Sequence, residues 1–259
     1  MNLRIELENR HVFVSTGSAP IREKAPTIVF VHGAGHDHSV WTMYSRFFVR
    51  KGYNAIAPDL PGHGQSDGQP LGTISDMAIW VTNILRLLNI QKAVFVGHSM
   101  GSLVAAQLAT DRPTICESVV MLGVSMPMPV SDVLMSAAAG GQHAAFDMAN
   151  YWSHAKQSDS RSNPGVWKYG LNNRLMERNG SDAFYTDLQA CNSFSALATL
   201  EVPSLIILGE FDQMTPFKSG VQVGEIFSSR IVKIDGAGHA MLTEQPNKVL
   251  DALWNFVDL

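Results

Sequence analysis

The chain has 259 residues, 46% hydrophobic and 16% charged, with 19 basic and 23 acidic residues and a net charge of −4. A chain this long buries roughly three quarters of its unfolded surface, so one large core needs no disulfide or metal staple, and the composition excludes disorder. The balance of charge argues against nucleic acid or an anionic membrane as partner, and no apolar run approaches the roughly 18 residues of a membrane span.

Residues 3–15 alternate, turn at Asn9-Arg10 and alternate again, the pattern of a β-hairpin. Thr27–Val31 is a continuous apolar run that stops at His32-Gly33, as a strand buried on both faces does. A helix is expected from Trp41, which packs it onto the sheet, to Arg50, then a strand from Asn54 to Ala57. Four glycines and two prolines make 61–72 a loop. Thr73 with Asp76 three residues on is a variant capping box, and Met77, Trp80, Val81, Ile84 and Leu88 follow at helical spacing. Ala93–Val96 is a buried strand, Met100–Ala109 a helix of small residues, and Ser118–Leu122 a further strand. Residues 131–199 lack such runs and read as helices. The alternation resumes with a strand at Ser204–Leu208, a helix at Pro216–Phe227, a strand at Ile231–Ile234 and a helix after Pro246. The expected fold is α/β, a mostly parallel doubly wound sheet, with core segments 1–130 and 200–259 and a helical cap, 131–199, inserted after the sixth strand.

Val96-Gly97-His98-Ser99-Met100-Gly101 places G-x-S-x-G between a strand and a helix. A sharp turn there pushes the serine hydroxyl into the open, and the helix N-terminus favours negative charge beside it. The alternative is a helix-capping serine. A serine nucleophile needs a base, and the base an orienting acid. His239, in a Gly-rich loop after the last strand, is the base candidate; His11, His143 and His154 lie elsewhere, and His98 points away from its neighbour Ser99. Asp212 is the acid candidate, with Asp235 in reserve and Glu210 a competitor. The order Ser99, Asp212, His239 is that of this elbow type. Oxyanion donors are expected from the backbone amides of Met100 and of Ala34, in His32-Gly33-Ala34-Gly35.

With these residues the chain resembles the α/β-hydrolase fold family, in its Ser-dependent, cap-bearing branch. The resemblance covers 25–130 and 200–259 and rests on 32–35, 59–66, 97–101, 209–216 and 236–242. It implies a serine hydrolase. Serine at the nucleophile position argues against the epoxide-hydrolase and dehalogenase branches. The function expected is hydrolysis of carboxylic esters of small to medium apolar acids through an acyl-enzyme, without cofactor or metal. The same triad also runs C–C, lactone or amide hydrolysis, acyl transfer or cyanohydrin cleavage, and a non-catalytic receptor is a further alternative.

Phe146, Trp152, Met214 and Met241 are the substrate-binding candidates. Arg161, Lys168, Arg174 and Arg178 are read as solvated rather than as a carboxylate clamp. His36-Asp37-His38 diverge too much for a metal site. His63 reads as a structural hydrogen-bonding residue, and Asn179-Gly180-Ser181 as a turn. The first ten residues lack a signal-peptide core, which, with Cys116 and Cys191 read as reduced core thiols, points to the cytoplasm. The partner is a small-molecule ester.

Overall fold

A computed structural model describes residues 2–155 and 168–258. The elements follow in order as β1 Asn2–Leu7, β2 Arg10–Ser15, β3 Thr27–Val31, α1 Thr42–Arg50, β4 Asn54–Pro58, α2 Ile74–Leu87, β5 Ala93–His98, α3 Met100–Asp111 and β6 Cys116–Leu122. Four helices come next: α4 Asp132–Ala139, α5 Ala144–Ser153, α6 Lys168–Asn179 and α7 Ser181–Ser193. The chain closes with β7 Ser204–Gly209, α8 Phe217–Phe227, β8 Arg230–Ile234, α9 Met241–Glu244 and α10 Pro246–Val257.

The eight strands form one sheet in the order β1-β2-β4-β3-β5-β6-β7-β8. β1 and β2 pair antiparallel, and β2 joins β4 antiparallel. Every other pairing is parallel. The hairpin turns at Glu8-Asn9, one residue before the expected place. Both have positive φ, 52° and 60°, the twist that a two-residue hairpin connection needs, and Arg10 is already paired with Leu7.

β3, β4, β5 and β7 are buried along their whole length because helices cover both faces. α2 and α3 pack on one face, through Met77, Val81, Leu103 and Val104. The other face meets Trp41, Tyr44 and Phe48, and from α10 Val249 and Leu253. Trp41 stacks on Phe30 with ring centroids 5.0 Å apart, so it does pin the first helix to the sheet. Thr73 caps α2 by accepting from the Asp76 amide at 3.1 Å.

α4–α7 occupy the span between β6 and β7 and share a small core of Leu134, Phe146, Met176, Phe184 and Leu188. Among the described residues no helix is long and apolar enough to cross a membrane.

Strand order places the site. β4 lies on one side of β3 and β5 on the other. The winding reverses there, and a crevice opens beyond the carboxyl ends of β3 and β5. Val31 pairs with Gly97, so the loop after β3 and the turn after β5 emerge side by side.

Candidate active site

β5 runs into Ser99 and α3 starts one residue later. Ser99 has φ 55° and ψ −122°, a left-handed backbone that costs a non-glycine residue about 1–3 kcal/mol. The turn is held: the Ser99 amide donates to the Leu122 carbonyl at 2.8 Å. A Cβ on Gly97 would run into the backbone of Gly101, and one on Gly101 into the carbonyls of Val31 and His32. Both glycines are therefore demanded by close backbone approach. Ser99 occupies the N-cap position of α3 without a side-chain capping bond, which disposes of the capping alternative. Met100 heads the first turn, where amides have no intrahelical acceptor.

Asp212 follows β7 and His239 follows β8. The two loops are joined by the Phe211 amide, which donates to the Ala237 carbonyl at 2.8 Å. His239 Nδ1 lies 2.8 Å from Asp212 Oδ2, both side chains buried. A carboxylate only accepts, so Nδ1 carries the proton and Nε2 of the neutral ring is left as a base. Asp212 Oδ1 accepts from the amides of Met214 (2.9 Å) and Thr215 (2.8 Å). Thr215 Oγ1 donates to Oδ2 at 2.8 Å and sits 3.2 Å from His239 Nδ1. The competing acids are engaged elsewhere: Glu210 and Asp235 both pair with Lys233.

Ser99, His239, Ala34 and Thr215 line one cavity of about 210 Å³. Its roof is apolar and comes largely from the inserted helices, including Leu134, Trp152, Met176, Phe184 and Leu188. Among the described residues no Arg, Lys, Asp or Glu lines it. The loop that carries Ala34 is anchored by His32, whose Nδ1 donates to the Gly33 carbonyl at 2.9 Å and whose Nε2 accepts from the Leu60 amide at 3.1 Å. Burial, with His63 nearby, pushes the His32 pKa down to about 3, so it acts as a neutral brace.

Of the pocket candidates, Trp152 and Met214 line the cavity. Met241 does not: it is fully buried between sheet and α10, and its neighbours Ala240, Leu242 and Thr243 take the lining positions. Phe146 does not either, being turned into the core of the insertion against Phe184, with ring centroids 5.5 Å apart. Arg178 pairs with Asp37, while Arg161 lies outside the described residues. His36 faces Asn172 at 2.8 Å and His38 faces Asp59 at 2.7 Å. Asp37, His38 and Asp59 do come within 4.8 Å of one another, but these carboxylates are taken up by Ser39, Arg178, His38 and Gln65. Asn179 accepts from the Gly64 amide and donates to the Gly35 carbonyl.

Four residues of the site were not foreseen. Thr215 is one. His98 is another: it lines the same cavity as Ser99, and its Nε2 donates to the His239 carbonyl at 2.8 Å. Gly123, at φ 59°, lies under the pair: a Cβ there would stand 2.9 Å from the His239 ring. Glu244 accepts from the amides of Gly238 and Ala155, tying the His239 loop to the end of α5.

Residues 28–252 match the model of the "Alpha/beta hydrolase family". The chain is 37% identical over 118 residues, 45% of its length, to the dihydrolipoyllysine-residue acetyltransferase component of the acetoin cleaving system of Cupriavidus necator, covering 30% of that protein. The chain spans no more than 55% of the length of the first two curated relatives it matches. It is 26% identical to 3-oxoadipate enol-lactonase 1 of Acinetobacter baylyi, with 91% of this chain and 90% of that one aligned. A solved thermophilic esterase superposes with a TM-score of 0.84 at 25% identity, covering 100% of this chain and 97% of that one. With the match running from β3 into α10, the chain belongs to the α/β hydrolase family.

Proposed function

We propose that the chain is a serine hydrolase for carboxylic esters of small to medium apolar acids, with Ser99 as nucleophile, His239 as base and Asp212 as the acid that orients it. The carrying observation is the buried Asp212–His239 pair at 2.8 Å, opening into the cavity that Ser99 lines. The strained elbow, the apolar uncharged lining and the likeness to an esterase and an enol-lactonase support the reading.

His239 Nε2 takes the proton from the Ser99 hydroxyl as Oγ attacks the ester carbonyl. The amides of Ala34 and Met100 hold the oxyanion, an effect worth about 2.7–4 kcal/mol per donor. The C–O bond of the ester breaks, and the leaving alcohol takes the proton from His239. Water then attacks the acyl-enzyme, giving its proton to His239. The carboxylic acid departs as Ser99 recovers that proton. Asp212 fixes the tautomer and stabilises the transient imidazolium. A lactone, being a cyclic ester, opens by the same steps. In this reading α4–α7 act as a cap that shields the acyl-enzyme.

The test is a panel of p-nitrophenyl esters from acetate to decanoate and an aliphatic lactone, with Ser99→Ala alongside. Turnover of at least one substrate, abolished in the variant, and fluorophosphonate labelling lost with it, is the expected result. Wild-type turnover no greater than that of Ser99→Ala sinks the proposal.

A further inference from the structure

Gly35 follows Ala34, and its amide is held from outside the α/β core. It donates to Asp187 Oδ2, on α7, at 2.9 Å. The same oxygen lies 2.9 Å from Nε2 of His63, in the loop after β4. The other ring nitrogen of His63 faces the Pro61 carbonyl at 3.0 Å. A carbonyl only accepts, so Nδ1 is protonated. A carboxylate oxygen already taking the Gly35 proton also accepts, so Nε2 is protonated too. His63 is thus an imidazolium, 2% exposed, against a carboxylate with no exposure. Among the described residues Asp187 Oδ1 has no partner, so the hold seen there runs through Oδ2.

We propose that His63 and Asp187 are positioning residues for the oxyanion hole: as a charged pair they fix the Gly35 amide, and with it the Ala34 amide, and the hold lapses when His63 loses its proton. This rests on the assignment of Ala34 to that hole.

The groups facing His63 agree. Asp187 approaches from α7, and Asp59 and the Pro61 carbonyl from its own loop. The neutral His32 ring stands 5.0 Å away. Burial opposes the charge most strongly, but Asp187, the Pro61 carbonyl and Asp59 together outweigh it and leave the pKa above the ordinary 6.5. The hold is therefore complete below that raised pKa and is lost as pH rises through it. A neutral ring has one N–H and must give up either Pro61 or Asp187. In the second case an unpaired buried carboxylate sits beside the oxyanion loop, which then shifts.

Three measurements test this: kcat and KM against pH for wild type, Asp187→Ala and Asp187→Asn; the His63 Cε1–H resonance against pH; and thermal melts of each variant. In wild type, kcat is expected to fall at alkaline pH with the midpoint of the His63 resonance, above 6.5. Asp187→Ala lowers kcat about tenfold or more with KM within about twofold, since displaced catalytic groups cost rate rather than binding. Asp187→Asn keeps an acceptor for Gly35, restores most of kcat and lacks the alkaline step. If Asp187→Ala melts before assay, the Asp187→Asn profile decides. An alkaline step unchanged in Asp187→Asn, or a His63 midpoint at or below 6.5, overturns the inference. With Ser99→Ala inactive, such a result removes only the tie; with Ser99→Ala still active, the assignment of the whole site falls as well.

Discussion

His98 and His239 lie ring beside ring, centroids 4.8 Å apart, and the side chain of the first holds the backbone of the second. His239, the proposed base, is thus fixed twice, at its ring by Asp212 and at its carbonyl by His98. Replacing His98 with alanine leaves a buried carbonyl unpaired, at about 1–3 kcal/mol, and frees the loop that presents the imidazole. We expect kcat to fall by roughly tenfold or more with little change in KM. Steady-state kinetics beside a urea unfolding curve check it; an unchanged kcat in a destabilised protein would show that His98 serves stability alone.

Acid should weaken the fold in a defined way. Burial keeps His32, His36 and His98 neutral, with pKa values below the ordinary 6.5. Below pH 6.5 the unfolded chain therefore binds protons that the folded chain refuses. Stability falls with pH, at up to about 1.4 kcal/mol per pH unit for each such group. The unfolding free energy measured from pH 6 to pH 5, below the range in which the raised pKa of His63 acts in the opposite sense, should show a slope above that of a single group, and a flat profile would contradict the neutral braces.

Thr215 separates geometry from charge. Thr215→Val removes one donor to Asp212 and leaves the two amides, so the carboxylate stays aimed; the expected loss is about 1 kcal/mol of transition-state stabilisation. Asp212→Asn removes the charge and reverses the tautomer preference of His239, and costs roughly 10⁴ in kcat. Rates for the two variants in one assay should differ by several orders of magnitude.

Gly123→Ala is predicted to be severe although alanine is small. Its φ of 59° costs an L-residue about 1–2 kcal/mol, and its Cβ would push on the His239 ring from 2.9 Å. Both stability and kcat should drop, whereas Gly52→Ala, at φ 97° with nothing within 4 Å of its Cβ, should lose stability only.

Trp152 and Met241 make a contrasting pair. Trp152→Ala enlarges the cavity and should move the preferred acyl chain to longer esters. Met241→Ala empties a core position, costs about 2–5 kcal/mol, and should leave the chain-length profile unchanged.

Much of this was legible because it is local. Ile28–Val31 and Leu205–Leu208 are apolar at every position, as the middle of a strand buried on both faces must be. Four of the five motif loops follow such a strand; the His239 loop follows the partly exposed edge strand β8. What escaped depends on partners distant along the chain. Asp187 reads as an ordinary helical charge until α7 is laid against Gly35, 152 residues away. His98 meets His239 across 141 residues. Met241 and Phe146 lie in cores and not on the cavity, because an apolar side chain near the motifs tells that a residue is buried, not whether a cavity or a core lies opposite.

The insertion is stitched to the sheet's loops at both sides of the crevice. Asn179 and Asp187 grip the loops after β3 and β4. The Ser153 carbonyl takes the Ala240 amide at 2.7 Å, and Glu244 takes that of Ala155. Such a segment is not an exchangeable module. A chimera that grafts foreign helices between β6 and β7 to import a new specificity would orphan His63 and the Gly35 amide at once. It would keep Ser99 with a loosened loop beside it. Engineering here has to move the stitches together with the cloth, carrying positions 179 and 187 into any donor sequence before its pocket is asked to work.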